Sequence, residues 1–161
     1  MHKVFLGVGG NIGNKRANFD KVYTFIEKEL GEIIQSSSVY ETPPWGFQAE
    51  DNFWNQVVII KTELSPEVLL EKIHTIEKGF GRERKTENYT SREMDIDILY
   101  YDDIYMETES LIIPHSRIHQ RKFVLVPLTE IAPEFKHPLL RLTNWQMLDS
   151  CRDSSVIIKL E

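Results

Sequence analysis

Two stretches of helical periodicity, each set between runs of strand-forming residues, constrain this chain more than any other feature. In the first, Phe19, Val22, Tyr23, Ile26 and Leu30 recur at helical spacing after Asn14, a candidate N-cap, and Gly31 stops the helix. The second opens on Ser65-Pro66-Glu67, with a capping serine, proline at the first position and an acidic first turn. Its buried stripe is Leu69, Leu70, Ile73, Ile76 and Phe80, broken by Gly79 and Gly81. Residues 3–8 read as a first strand ended by Gly9-Gly10-Asn11, Ile33 to Tyr40 as a second, and Phe53 to Thr62 as a third. The alternating run Asp95 to Tyr101 makes a fourth, closed by a turn at Asp102-Asp103.

The order is therefore strand, helix, strand, strand, helix, strand. It matches the ferredoxin-like β-α-β-β-α-β arrangement, an α+β fold with an antiparallel sheet and both helices on one face. Pro114, Pro127 and Pro133 punctuate the remaining third, expected to form a C-terminal helical appendage. No repeat, low-complexity tract or linker divides the sequence, so residues 1–161 read as a single domain. Such a fold says almost nothing about function.

Composition removes whole classes of function. With 41% hydrophobic and 27% charged residues, the 161-residue chain is neither disordered nor fibrous. Cys151 is the single cysteine, which excludes an internal disulfide and a cysteine-rich metal site. Apolar runs such as Val57-Val58-Ile59-Ile60 are too short to span a bilayer, and Val4-Phe5-Leu6 running into Gly7 does not resemble a signal peptide. A cytoplasmic, monomeric protein is expected.

The formal charge of −6 is uneven. Residues 82–92 and 115–122 hold seven of the 19 basic residues and two of the 25 acidic ones, which leaves −11 on the other 142 positions. A general nucleic-acid binder would carry a broad basic face. Two short basic segments on an acidic body suit a small polyanion, or are simply solvated loops.

Between those segments lies Arg92-Glu93-Met94-Asp95-Ile96-Asp97-Ile98-Leu99. On a strand Asp95 and Asp97 share one face, their Cα atoms roughly 6.7 Å apart from a rise of about 3.3 Å per residue. Their mutual repulsion, on the order of 2 kcal/mol at an effective dielectric near 20, favours a bound cation. Oxygen-only ligands favour magnesium, and two such ions would suit phosphate chemistry. Alone, the pair could equally be a solvated strand face. No Gly-Lys followed by Ser or Thr occurs, so there is no Walker A loop. Gly7-Val-Gly-Gly-Asn-Ile-Gly13 fails the dinucleotide fingerprint at Ile12 and reads as a tight turn feeding the first helix. The long connection 41–52 carries Pro43, Pro44, Trp45 and Phe47, and aromatics on a loop suit a flat ring as ligand. Phe53 and Asn55 share a strand face, and a carboxamide offers a donor and an acceptor to the edge of a heterocycle. They could also be a core residue and a strand-edge residue.

Together these pieces resemble the 6-hydroxymethyl-7,8-dihydropterin pyrophosphokinases of the folate pathway. The motifs run from Gly9-Gly-Asn-Ile-Gly13 through Tyr40-Glu-Thr-Pro-Pro44, Phe53-Trp-Asn55, Arg82-Glu-Arg84 and Arg92 to Leu99. They continue with Ile113-Pro-His115, Arg121-Lys-Phe123 and Pro127-Leu-Thr-Glu-Ile-Ala-Pro133. The resemblance implies transfer of the β,γ-pyrophosphoryl group of ATP to the pterin hydroxymethyl oxygen, with release of AMP. It implies that Asp95 and Asp97 bind two magnesium ions, and that Arg82, Arg92 and the two aspartates are the catalytic group. Arg84 and Arg92, with His115 and Arg121, would hold the phosphates of ATP, and Glu77, Ile98 and Ile112 the nucleoside. Thr42 and Pro44 (through backbone), Trp45, Phe53, Asn55 and Phe123 would form the pterin slot, the ring stacked between Trp45 and Phe123. The loops 43–51 and 82–92 would be mobile until both substrates bind. Asp97 is the candidate acceptor of the hydroxyl proton. Ser116 departs from the family pattern, where an aromatic commonly follows Pro-His, and His119 could replace that contact. His74, near Glu77, is either a nucleotide neighbour or a surface residue. Two other functions fit the sheet type: a nucleotidyltransferase releasing pyrophosphate, and a ligand-binding or regulatory module whose aspartates face solvent.

Overall fold

Alternation in the first strand sends Val4, Leu6 and Val8 to one side of a sheet and Phe5 to the other, and both sides are buried. A computed structural model describes residues 1–11, 13–42, 52–80 and 94–160 and shows how each side is covered. The elements follow in the order β1 (His2–Gly10), α1 (Lys15–Glu29), β2 (Glu32–Ser36), β3 (Tyr40–Thr42), β4 (Phe53–Thr62), α2 (Pro66–Gly79) and β5 (Asp95–Tyr101). Then come β6 (Met106–Glu107), β7 (Ile112–Ile113), a 3-10 turn at Ile118–Gln120, α3 (Lys122–Ile131), α4 (Asn144–Ser150) and β8 (Ile158–Lys159). Among the described residues the main sheet has the order β5-β1-β4-β3-β8, with β2 also on β4, and every pairing is antiparallel.

Both long helices start where the sequence says. Asn14 accepts from Ala17 N–H at 3.0 Å, and Ser65 accepts from Val68 N–H at 3.4 Å with Pro66 at the first position. The end of α1 leaves no room for a side chain: a Cβ on Gly31 would stand 2.1 Å from the Lys61 carbonyl oxygen. Phe19, Val22 and Ile26 of α1 and Leu69, Ile73 and Ile76 of α2 pack on Val4, Leu6, Val8, Val58, Ile60, Ile96 and Ile98. Each such burial is worth about 1.5–3 kcal/mol.

Two strand boundaries differ from the sequence reading. The first strand does not end before Gly9: Gly9 and Gly10 pair with Asn55 and Trp54, so β1 runs through the glycines. The expected second strand is broken into β2 and β3, because Ser37 turns its own side chain into the ladder. Its Oγ accepts Val57 N–H at 3.0 Å, its N–H donates to Val57 O at 2.9 Å, and its carbonyl accepts from Gln56 Nε2 at 2.7 Å. The C-terminal third is a third layer on the second sheet face, with Leu125, Leu128 and Met147 packed on Phe5, Val57, Ile59, Leu99 and Tyr100.

The link between α3 and α4 is tied by His137, which is 4% exposed. Its Nδ1 accepts the N–H groups of Leu139 and Leu140 at 3.2 and 3.0 Å. Burial, with His119 adding positive charge nearby, lowers its pKa from 6.5 to about 4. A histidine whose folded pKa is depressed contributes stability above its unfolded value and loses it as pH falls toward the folded one. The chain is thus expected to lose on the order of 2 kcal/mol between pH 6.5 and 4 from this group. Urea midpoints across that range would show it. His137→Asn, which keeps an acceptor but cannot titrate, is expected to reduce the slope and leave the part due to His115, whose pKa is lowered over the same range. An unchanged slope would assign it to other groups.

Candidate functional site

At one end of the second sheet face, α3 and α4 cover the strands; at the other they do not. The uncovered end is an open cleft with an empty volume of about 690 Å³. Strand alternation supplies its floor: Phe53, Asn55 and Val57 from β4, Gly7 and Gly9 from β1, and Asp95, Asp97 and Leu99 from β5. Register aligns these into rows, with Gly9 between Asn55 and Asp95, and Gly7 between Val57 and Asp97. Thr42, the last residue of β3, closes one side. Arg121 and Phe123, at the start of α3, overhang the other, the guanidinium 5.6 Å from the centre of the Phe123 ring.

His115 belongs to the same neighbourhood, since both Arg121 and Asp95 act on its charge. Burial first, and Arg121 and Arg117 with it, outweigh Asp95 and lower its pKa from 6.5 to about 4. Its Nδ1 accepts Arg117 N–H at 3.3 Å, and its own backbone N–H is held by Leu99 O at 3.0 Å. With its pKa at about 4 His115 is uncharged at neutral pH, and because Nδ1 accepts the Arg117 N–H its proton falls to Nε2.

The fold thus brings Thr42, Phe53, Asn55, Asp95, Asp97, Arg121 and Phe123 to one cleft, with His115 beside Asp95 and Arg121. Three residues expected at the nucleoside stand apart from its lining. Glu77 is 2% exposed beneath the sheet, where its Oε2 accepts Ile96 N–H at 2.9 Å. Ile98 lies in the core under the helices and Ile112 is exposed on β7. Ile98 can meet a ligand in this cleft through backbone alone, because its side chain points to the opposite face. Pro44, Trp45, Arg82, Arg84 and Arg92 lie outside the described residues, as do the two loops expected to be mobile.

Gly7 and Gly9 were not legible as lining from the turn reading of residues 7–13. The signal that could have found them is glycine at alternate positions in a β run, which marks close approach of backbone or ligand. Among the described residues no group of three or more His, Cys, Asp or Glu is arranged to hold a metal. A pair of carboxylates on one strand face fits a hard divalent cation whose other ligands are water and substrate phosphate. A cage built wholly from protein it does not fit.

The family model for 7,8-dihydro-6-hydroxymethylpterin-pyrophosphokinase matches residues 5–133. The chain is 41% identical over 141 residues to the 2-amino-4-hydroxy-6-hydroxymethyldihydropteridine pyrophosphokinase of Aquifex aeolicus, covering 88% of this chain and 87% of that one. With the enzyme of the same name from Methylorubrum extorquens it shares 41% over 135 residues, covering 83% and 85%. Among solved structures, Plasmodium falciparum HPPK-DHPS with pteroate superposes with a TM-score of 0.74 at 19% identity, over 92% of this chain. That match takes in 42% of the larger protein, so it speaks for the fold of this portion.

Proposed function

The chain belongs to the 7,8-dihydro-6-hydroxymethylpterin-pyrophosphokinase family, and from that premise we infer how its cleft serves the two substrates. The enzyme transfers the pyrophosphoryl group of ATP to the hydroxymethyl oxygen of 6-hydroxymethyl-7,8-dihydropterin, a step of folate biosynthesis, and AMP is the other product. The observation that carries the site assignment is the convergence of an aromatic and carboxamide half and a charged half in one cleft. Asn55, Phe53, Thr42 and Phe123 lie on the first, Asp95 and Asp97 on the second, with Arg121 at the overhang.

In this reading the pterin would stack between Trp45 and Phe123, as the resemblance implies, with Phe53 on the floor below and the Asn55 carboxamide at its donor–acceptor edge. Pro44, through its backbone, would complete the slot as the resemblance implies. The triphosphate lies toward β5. Arg121 and the Nε2 proton of His115 would meet its oxygens, and by the resemblance Arg82, Arg84 and Arg92 would close over it. Asp95 and Asp97 would hold two magnesium ions, which neutralise phosphate charge and polarise the bond that breaks. The chain's own contribution is to hold the hydroxymethyl oxygen in line with the β-phosphorus and to exclude water, with Asp97 taking the hydroxyl proton. Glu77, by holding the N–H of Ile96, fixes the strand that presents both aspartates. The nucleoside would run along the backbone of Ile98 toward Ile112.

The antiparallel order β5-β1-β4 with β2 and β3 beyond supports a ferredoxin-like topology of two interleaved strand–helix–strand units, to which α3 and α4 are added. The chain is proposed to act as a monomer, and the absence of a broad basic face, with seven of the 19 basic residues gathered in two short segments, supports a protein that binds no nucleic acid. The test is a product assay with magnesium, ATP and the dihydropterin that separates AMP, ADP and pyrophosphate. AMP formed one-for-one with pterin pyrophosphate is expected. Release of pyrophosphate would mean a nucleotidyltransferase, and ADP a simple kinase.

A further inference from the structure

Gly9 and Gly7 both form the floor of the cleft, yet they are not equivalent. A Cβ on Gly7 would meet nothing nearer than the Leu99 side chain at 3.5 Å, which is ordinary contact. A Cβ on Gly9 would stand 2.5 Å from Asn55 Oδ1 and 3.3 Å from the Trp54 carbonyl oxygen. The Asn55 carboxamide thus occupies the space that any side chain at residue 9 would need. In register, Asn55 and Asp95 are the two neighbours of Gly9 across β4 and β5, so the carboxamide leans over β1 from the β4 side. Among the described residues no hydrogen bond holds this carboxamide. Its direction is set by the shape of the floor beneath it.

We infer that Gly9 is a positioning residue for the acceptor substrate: by having no side chain it lets the Asn55 carboxamide lie over β1 with its oxygen and amide turned to the heterocycle edge. This rests on the assignment of Asn55 to the pterin. A methyl group at residue 9 swings the carboxamide away, and a donor–acceptor pair that no longer meets its partner is lost to binding. The phosphate half is expected to be spared, because the three atoms nearest to a Cβ on Gly9 belong to Asn55 and Trp54 and to neither aspartate.

The experiment is a double-mutant cycle of Gly9→Ala and Asn55→Ala, with KM for the dihydropterin, KM for ATP and thermal midpoint measured for all four proteins. Gly9→Ala is expected to raise the pterin KM about tenfold and to leave the ATP KM within about twofold. In the Asn55→Ala background the same change is expected to alter the pterin KM by less than about twofold. The thermal midpoint lost in Gly9→Ala should return in the double variant, whose offending oxygen is gone. That return decides the matter if Gly9→Ala alone is too unstable to assay, and no return overturns the inference. Equal costs of Gly9→Ala in both backgrounds also overturn it. If Asn55→Ala weakens pterin binding and Gly9→Ala does not, the inference falls and the assignment of Asn55 stands. If Asn55→Ala leaves the pterin KM unchanged, both fall.

Discussion

Asp95→Ala is expected to lower the rate of AMP formation by at least about a thousandfold while leaving the protein folded, and Asp97→Ala to do the same. A thousandfold is about 4 kcal/mol of transition-state stabilisation, the size expected when a polyphosphate loses the charge that neutralises its developing oxyanions. Among the described residues no group of three or more His, Cys, Asp or Glu is arranged to hold a metal, so the pair has no third protein ligand to fall back on. Folding is spared because both side chains are part-exposed at the cleft and carry like charge, so removing one relieves repulsion. The informative companion is Asp95→Asn, which keeps an oxygen in place but not the charge. If charge is what matters it should fail nearly as badly as alanine. Steady-state rates with product separation, alongside thermal midpoints, give the answer. Turnover near wild type in either alanine variant would remove the aspartates from the reaction.

Much of this site was legible in the sequence because strand alternation is a local rule. Asp95 and Asp97 on one face, Ile96 and Ile98 on the other, follow from spacing alone, and the structure has them so. The helices were legible for the same reason: Asn14 and Ser65 cap the turns that directly follow them. What failed was decided far away in the chain. Gly9 and Gly10 read as a turn because glycine is a local breaker, but their strand partners are Asn55 and Trp54. Ser37 interrupts the strand through bonds to Gln56 and Val57. Glu130 of α3 then takes up the N–H and hydroxyl of Ser38 at 3.0 and 2.9 Å and the Tyr40 hydroxyl at 2.7 Å. Burial opposes that charge, but the three donors prevail and hold its carboxyl below the usual range. These bonds join the start of β3 to the helix that carries Phe123 into the cleft. No spacing rule announces such a tie.

The same distance hides the residue whose loss should cost the fold most. Asn144 opens α4 and is fully buried. Its Nδ2 donates to the Ala132 carbonyl at 2.8 Å, its Oδ1 accepts from the Tyr100 hydroxyl at 2.8 Å, and its N–H donates to Phe135 O at 3.0 Å. Tyr100 is itself fully buried, packed edge-on to Phe5 and 4.5 Å from the Phe135 ring centre, and burial alone drives its pKa upward. Asn144→Ala leaves a phenol O–H and a backbone carbonyl unpaired inside that cluster, at about 1–3 kcal/mol each. Together these give about 4 kcal/mol, which for a chain of this length lowers the thermal midpoint by about 10 °C. Tyr100→Phe removes one donor and strands one acceptor, so it should cost about 1–2 kcal/mol. In the double variant the phenol that alanine orphaned no longer exists, and the loss should fall well short of the sum. Urea denaturation of the four proteins measures the coupling. Additive losses would show that the two side chains are not coupled, and a cost for Asn144→Ala below about 1 kcal/mol would show that the carboxamide joins α4 to the sheet without stabilising it.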